Sequence, residues 1–266
     1  MASINEKLTR INESISNLKE ELKLDKTAEI EEIQQTLSTR KEIIIDEQDG
    51  DGYATAVTVK GFDKIPDVAF GTRDGYIVTT NSHIGSFLCS KALKKVNIPE
   101  GVTEIGYCAF AGCIVEEVNL PETLTRLETN AFYQCRQLYS IKRIPDSVTW
   151  VGYGAFYVNH KMTQISMKNV TELNGANNAR QFGHCTALKA AWIGSAITKM
   201  ADIFYNCTNL QKIFIDLPRA TVETFFGYKT FFTANSNTTV SIICNNDADF
   251  ITQEEFDAID WSTYTE

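Results

Sequence analysis

Along the middle of the chain, apolar residues recur in a fixed order. Phenylalanine followed three residues later by a small residue appears as Phe110-x-x-Cys113, Phe132-x-x-Cys135, Phe156-x-x-Asn159, Phe182-x-x-Cys185 and Phe204-x-x-Cys207. Phe87-x-x-Ser90 stands one period before them. The period is roughly 22–26 residues, which is that of a solenoid built from one strand and a return per turn. A Leu or Met follows six residues after the phenylalanine at Leu93, Leu138, Met162, Leu188 and Leu210. Next comes an apolar pair flanking one residue: Val96-x-Ile98, Val118-x-Leu120, Ile165-x-Met167, Ala191-x-Ile193 and Ile213-x-Ile215. Period-two alternation predicts short strands with both flanks inward and the middle residue outward. A second apolar step follows at Val102/Ile105, Leu124/Leu127, Val148/Val151, Val170/Leu173 and Ile197/Met200. No turn of such a chain buries its own apolar face, so neighbouring turns must stack.

Outside the repeats the pattern changes. Ile4, Leu8, Ile11, Ile15, Leu18 and Leu22 form a heptad seam between polar residues. The seam predicts a coiled coil, and Leu at a with Ile at d points to three or four strands. The alternative is one amphipathic helix docked on its own domain. A second short helix is predicted over about 27–39. Residues 42–46 and 53–60 read as two strands joined by the acidic turn Asp49–Gly52, with Tyr53, Thr55, Val57 and Val59 on one face. The turn is a hairpin turn and not a calcium loop, since the twelfth position counted from Asp49 is Lys60. Near the C-terminus, residues 239–243 read as a last strand, and Thr252-x-x-Glu255 is a capping box with Ile251 and Phe256 as its staple. A helix there is expected to cap the open end of the solenoid.

The segments IPEGVTEIGYCAFAGC and IPDSVTWVGYGAF resemble the units of the BspA-like leucine-rich-repeat family. The resemblance implies a right-handed leucine-rich-repeat solenoid of the surface-protein kind, binding other proteins or host and cell-wall components. Lys168 and Gly194, where other repeats have a strand-ending proline, and Asn159, in the cysteine slot, depart from the unit. The stretch KEIIIDEQDGDGYATAVTVKGF resembles a strand–turn–strand unit of phage tail and other virion proteins. That likeness implies an oligomeric virion appendage carrying a leucine-rich-repeat tip. A bacterial cell-surface adhesin is the alternative.

The expected fold is thus α+β. A helical coiled-coil oligomerisation and attachment segment spans 1–40, a β connector 41–75, a leucine-rich-repeat solenoid 76–225, and a capping strand and helix 226–266. The net charge of −9 disfavours nucleic acid as the main partner, and no apolar run is long enough to span a bilayer. The N-terminus has no apolar signal segment. Seven cysteines are present; four share one repeat slot, which predicts a ladder of buried thiols instead of disulfides or a metal site. No constellation of catalytic residues occurs, so no enzyme activity and no cofactor is expected. The partners expected are a protein or cell-surface glycan receptor, other virion proteins, and sister subunits in a homotrimer. The exposed centres of the strands are the candidate binding wall. Trp192 and Phe214 sit side by side there, with Ser166 and Arg143 in the same row and Trp150 outward on the second strand of its repeat. The alternative for the two aromatics is packing beneath the insertion at 174–180 or against a sister subunit.

Overall fold

The computed structural model describes residues 13, 15–17, 20, 42–48, 54–61, 64–65, 92–173, 180–200, 203–226 and 240–264. In chain order the strands are β1 (Glu42–Gln48), β2 (Ala54–Lys60), β3 (Lys64–Ile65), β4 (Lys95–Asn97), β5 (Glu104–Ile105), β6 (Glu117–Val118), β7 (Arg126–Leu127) and β8 (Arg143–Ile144). They continue as β9 (Trp150–Val151), β10 (Gln164–Met167), β11 (Glu172–Leu173), β12 (Ala190–Ile193), β13 (Lys199–Met200), β14 (Lys212–Ile215) and β15 (Ser241–Cys244). Two helices, α1 (Arg219–Phe226) and α2 (Gln253–Ala258), fall in the C-terminal part.

The strands stack into two faces, one coil above the next. One face is a six-stranded sheet ordered β13-β11-β9-β7-β5-β3. The other is split into a four-stranded sheet, β1-β2-β4-β6, and a five-stranded one, β15-β14-β12-β10-β8. Apart from the β1–β2 hairpin, every paired neighbour is parallel. Turns make the returns up to β14, and α1 lies in the return between β14 and β15, so these residues form a leucine-rich-repeat β-solenoid. Ala56, Val57 and Thr58 of β2 pair with Lys95, Val96 and Asn97 of β4, so the hairpin is continuous with the repeat sheet. The period-two alternation explains why: Val57 and Val59 are buried in the same core as the repeat residues.

The phenylalanines form the spine. Phe110, Phe132, Phe156, Phe182 and Phe204 stack ring over ring, with centroids 5.1, 5.5, 5.3 and 5.7 Å apart. Each ring is at most 1% exposed, so the stack removes five aromatic side chains from water, at ~25 cal/mol per Å² of apolar surface. Main-chain bonds tie the same slots together: Phe110 N–H donates to Ala131 O, and Phe132 N–H to Ala155 O, both at 2.8 Å. Cys113, Cys135, Cys185 and Cys207 are buried thiols that form no disulfide. Three of them donate to the phenylalanine one coil earlier: Cys135 to Phe110 O (3.0 Å), Cys185 to Phe156 O (3.1 Å) and Cys207 to Phe182 O (3.0 Å). Burial pushes the Cys207 thiol well above its ordinary pKa, so it stays protonated. Asn159 interrupts this ladder. It is fully buried, and neither its amide nitrogen nor its amide oxygen has a partner.

The split in the strand wall comes from repeat length. Ile141 and Ile144 are both buried while Lys142 and Arg143 between them are exposed, so this coil carries two outward residues where its neighbours carry one. The preceding coil is one residue short after Cys113. The registers cannot match, and β6 does not ladder onto β8. Ser140 fills the break: its hydroxyl accepts from Val118 N (2.8 Å) and donates to Val118 O (3.0 Å).

At the last strand, β15 is an edge. Arg219 Nη2 donates to Ile242 O (3.1 Å) and pairs with Asp247, whose carboxylate accepts from Cys244 N (2.7 Å). That ion pair occupies edge groups that would otherwise be open to another strand. At the other end, residues 13, 15–17 and 20 are helical. Ile4, Leu8, Ile11, Leu18 and Leu22 of the heptad seam lie outside the described residues, as do Phe87 and the insertion at 174–179.

Candidate functional site

The strand wall carries the row of residues that alternation placed outward. The register confirms the row. Arg143 pairs with Ser166, Ser166 with Trp192, Trp192 with Phe214, and Phe214 with Ile243. Its exposure is a different matter. Trp192 and Phe214 are each 3% exposed and Ser166 is fully buried. The chain's own C-terminal segment covers them, which corrects the expectation of an open aromatic wall. Phe214 packs against Phe256 (5.9 Å) and Trp261 (6.1 Å). Trp192 Nε1 donates to Ile251 O (3.0 Å), and Gln253 Nε2 approaches Ser166 Oγ at 3.4 Å. Lys189 clasps the far end, donating to Ser262 O (3.0 Å) and Tyr264 O (2.8 Å). Two aromatic side chains exposed in one row are costly in water, and folding the tail back removes that cost.

The helix in this cover forms as the capping box predicts. Glu255 N–H donates to Thr252 Oγ1 (3.2 Å) and Thr252 N–H to Glu255 Oε2 (2.8 Å). Its place differs from expectation: α2 lies across the face of the wall over β10 and β12, not over the open end. The cover is imperfectly matched beneath. Both amide atoms of the buried Gln164 lack partners. Burial first, then Asp146 and Glu254, raise the Asp257 carboxyl against the opposing effects of Ser166 and Arg143.

Arg143 stands at the margin of the cover. It is exposed and bridges Asp146 at 2.8 Å. Trp150 is not in this row. It lies on the opposite six-stranded face, half-buried, with the Arg126 guanidinium 4.9 Å from its ring. The five predicted binding residues therefore form no single exposed site.

The open part of the wall is its N-terminal half. Thr58 Oγ1 donates to Asp46 Oδ2 (2.7 Å), and Asn97 Nδ2 to Thr58 Oγ1 (3.3 Å). Tyr139 OH donates to Glu117 Oε1 (2.6 Å), and Lys95 Nζ meets Glu117 Oε2 at 3.1 Å. These bonds cross from coil to coil, linking β1, β2 and β4, and then β4, β6 and the coil after it. The Tyr139 hydroxyl, then Lys95, holds the Glu117 carboxyl below the usual range. Glu117 in turn raises both Lys95 and Tyr139. Two depressions lie on this face, of about 390 Å³ and about 250 Å³. Asn119 lines both, so they adjoin each other beside the break between β6 and β8. Lys95 and Glu117 each stand one residue before an inward position, so period-two counting would have found them. Tyr139 and Asp46 belong to the site through contacts that no local pattern announces.

No group of side chains suited to hold a metal ion occurs among the described residues, nor any helix long and apolar enough to cross a membrane. The wall's polar groups are paired with one another across neighbouring strands and coils.

The family described as BspA type leucine rich repeat region matches the chain in six copies, over residues 82–211 and 178–263. No curated protein matches. Among solved structures, the pneumococcal vaccine antigen PcpA is similar at 17% identity, covering 71% of this chain and 42% of PcpA, with a TM-score of 0.45. The leucine-rich-repeat protein of T. pallidum is similar at 20% identity, covering 73% of this chain and 96% of its own, with a TM-score of 0.39. A leucine-rich cell-surface protein of Faecalibacterium prausnitzii is similar at 19% identity, covering 76% of this chain and 61% of its own, with a TM-score of 0.29.

Proposed function

Because the chain belongs to the BspA-type leucine-rich-repeat family, we propose that it is a non-enzymatic recognition module, presented at a bacterial surface, whose binding face is the open N-terminal half of the strand wall. The observation that carries this reading is the division of the wall. One half is sealed by the protein's own tail, and the other holds two sets of exposed or half-buried polar side chains, Asp46 with Thr58 and Asn97, and Lys95 with Glu117 and Tyr139, each oriented by its neighbours. A solenoid offers an extended surface of this kind instead of a deep pocket. The family favours the surface reading over a virion appendage. The virion reading keeps one specific support, the heptad seam from Ile4 to Leu22 preceding a β-hairpin.

The test is binding of the full chain to bacterial and host surface material, fractionated into protein and glycan. Asn97→Ala with Tyr139→Ala is expected to remove binding. Glu172→Ala with Lys199→Ala, on the opposite face, is expected to leave it intact. Loss through the second pair alone would place the partner on the wrong face and end this reading. A trimer by mass photometry, together with tail or capsid genes beside this one, would restore the virion alternative.

A further inference from the structure

The chemistry of the open wall narrows what it recognises, taking as given the recognition reading above. An interface for another protein needs a desolvated centre with aromatic or aliphatic anchors. Here Trp192 and Phe214 are locked under the tail. The exposed large apolar side chains among the described residues are Ile44, Tyr139 and Tyr153. Of these Ile44, 40% exposed, stands opposite Thr58 in the β1–β2 pair, a single aliphatic side chain among polar neighbours, and Tyr139, 44% exposed, belongs to the polar network, its hydroxyl fixed on Glu117.

Charge argues in the same direction. The residues of the two depressions bring Asp46, Glu47, Glu117 and Glu122 against Lys95, Lys142 and Arg143. Lys95 is already engaged by Glu117 and Arg143 by Asp146. A face so balanced gives no drive to gather a polyanion or a polycation. What it does present is carboxylate, amide, hydroxyl and ammonium groups at strand spacing, each held in place by a neighbour in the next coil. Donors and acceptors fixed before binding lose little entropy on binding. The path across β1, β2, β4, β6 and the coil beyond is about 19 Å at ~4.8 Å per strand, the length of about four linked sugar rings. Tyr139 adds one aromatic surface beside that path, amid groups suited to hydroxyls.

We propose that the open half of the wall binds a linear, uncharged glycan, lying across the strands from Asp46 to the break between β6 and β8. The pyranose hydroxyls meet Asp46, Asn97, Lys95 and Glu117, and one ring lies against Tyr139.

The test uses the full chain and a set of uncharged linear hexaoses (cello-, xylo-, malto- and chitohexaose), with a heparin octasaccharide and an immobilised panel of secreted host proteins as comparators. Binding is followed by titration calorimetry and by amide NMR shifts. At least one uncharged hexaose is expected to bind. Tyr139→Ala and Asn97→Ala are each expected to weaken it by roughly tenfold, about one net hydrogen bond or contact. Both side chains are exposed, so the variants are expected to melt with the wild type. If heparin or a protein binds through the same residues while every uncharged hexaose fails, the glycan proposal falls and the recognition reading survives. If hexaose binding is indifferent to both variants, the assigned site is wrong. If nothing engages the wall, both fall together.

Discussion

Replacing Asn159 by cysteine is expected to stabilise the protein. Asn159 holds the slot that Cys113, Cys135, Cys185 and Cys207 hold in other coils. It is fully buried with both amide atoms unpartnered. A buried polar atom without a partner costs about 1–3 kcal/mol. A cysteine removes two such atoms, has similar bulk, and brings a weak donor toward the carbonyl of Phe132, as Cys135 does toward Phe110 O at 3.0 Å. Allowing for relaxation around the amide in the wild type, the expected gain is about 1–3 kcal/mol. With a urea slope near ~3 kcal/mol/M, that moves the midpoint up by about 0.3–1 M. The assay is urea unfolding followed by circular dichroism under reductant, since the described cysteines form no disulfide. Coils in a solenoid contribute through nearest neighbours, so Cys135→Asn is the reciprocal test and is expected to lose stability by a similar or larger amount. An Asn159→Cys protein no more stable than wild type, beside a harmless Cys135→Asn, would refute the ladder as a source of stability.

Val158→Asn is expected to gain roughly 1 kcal/mol in the same assay: Val158 sits at φ 65°, where a β-branched residue is strained, and the same slot in later coils holds His184 and Asn206. Phe256→Ala is expected to undock the tail at a cost of about 3–5 kcal/mol; red-shifted tryptophan emission and proteolytic nicking within 245–264, with the repeat core still protected, are the readouts. Asp257→Asn is expected to raise the melting temperature at neutral pH and to have no effect in strong acid. The folded pKa of Asp257 is raised, so its neutral form suits the fold below the unfolded value, and the penalty enters as pH rises through the folded value. An equal effect at both pH values would show that packing, not ionisation, is responsible.

The sequence by itself determined the solenoid. The recurring Phe, Cys and paired aliphatic positions repeat local instructions, and stacking identical slots is the one way each coil can bury them. Their register followed as well, down to Trp192 beside Phe214. The capping box at Thr252 was equally legible, because it depends on residues three apart. What the sequence left open was which part of the wall faces water. Trp192 is covered by Ile251, and Ser166 by Gln253, residues about 60 and 90 positions away. The break after β6 and the network joining Asp46, Thr58 and Asn97 likewise arise between coils. Alternation fixes the side of a strand on which a residue stands. Only the folded chain decides what lies over that side, because burial there is shared between segments that no local pattern connects.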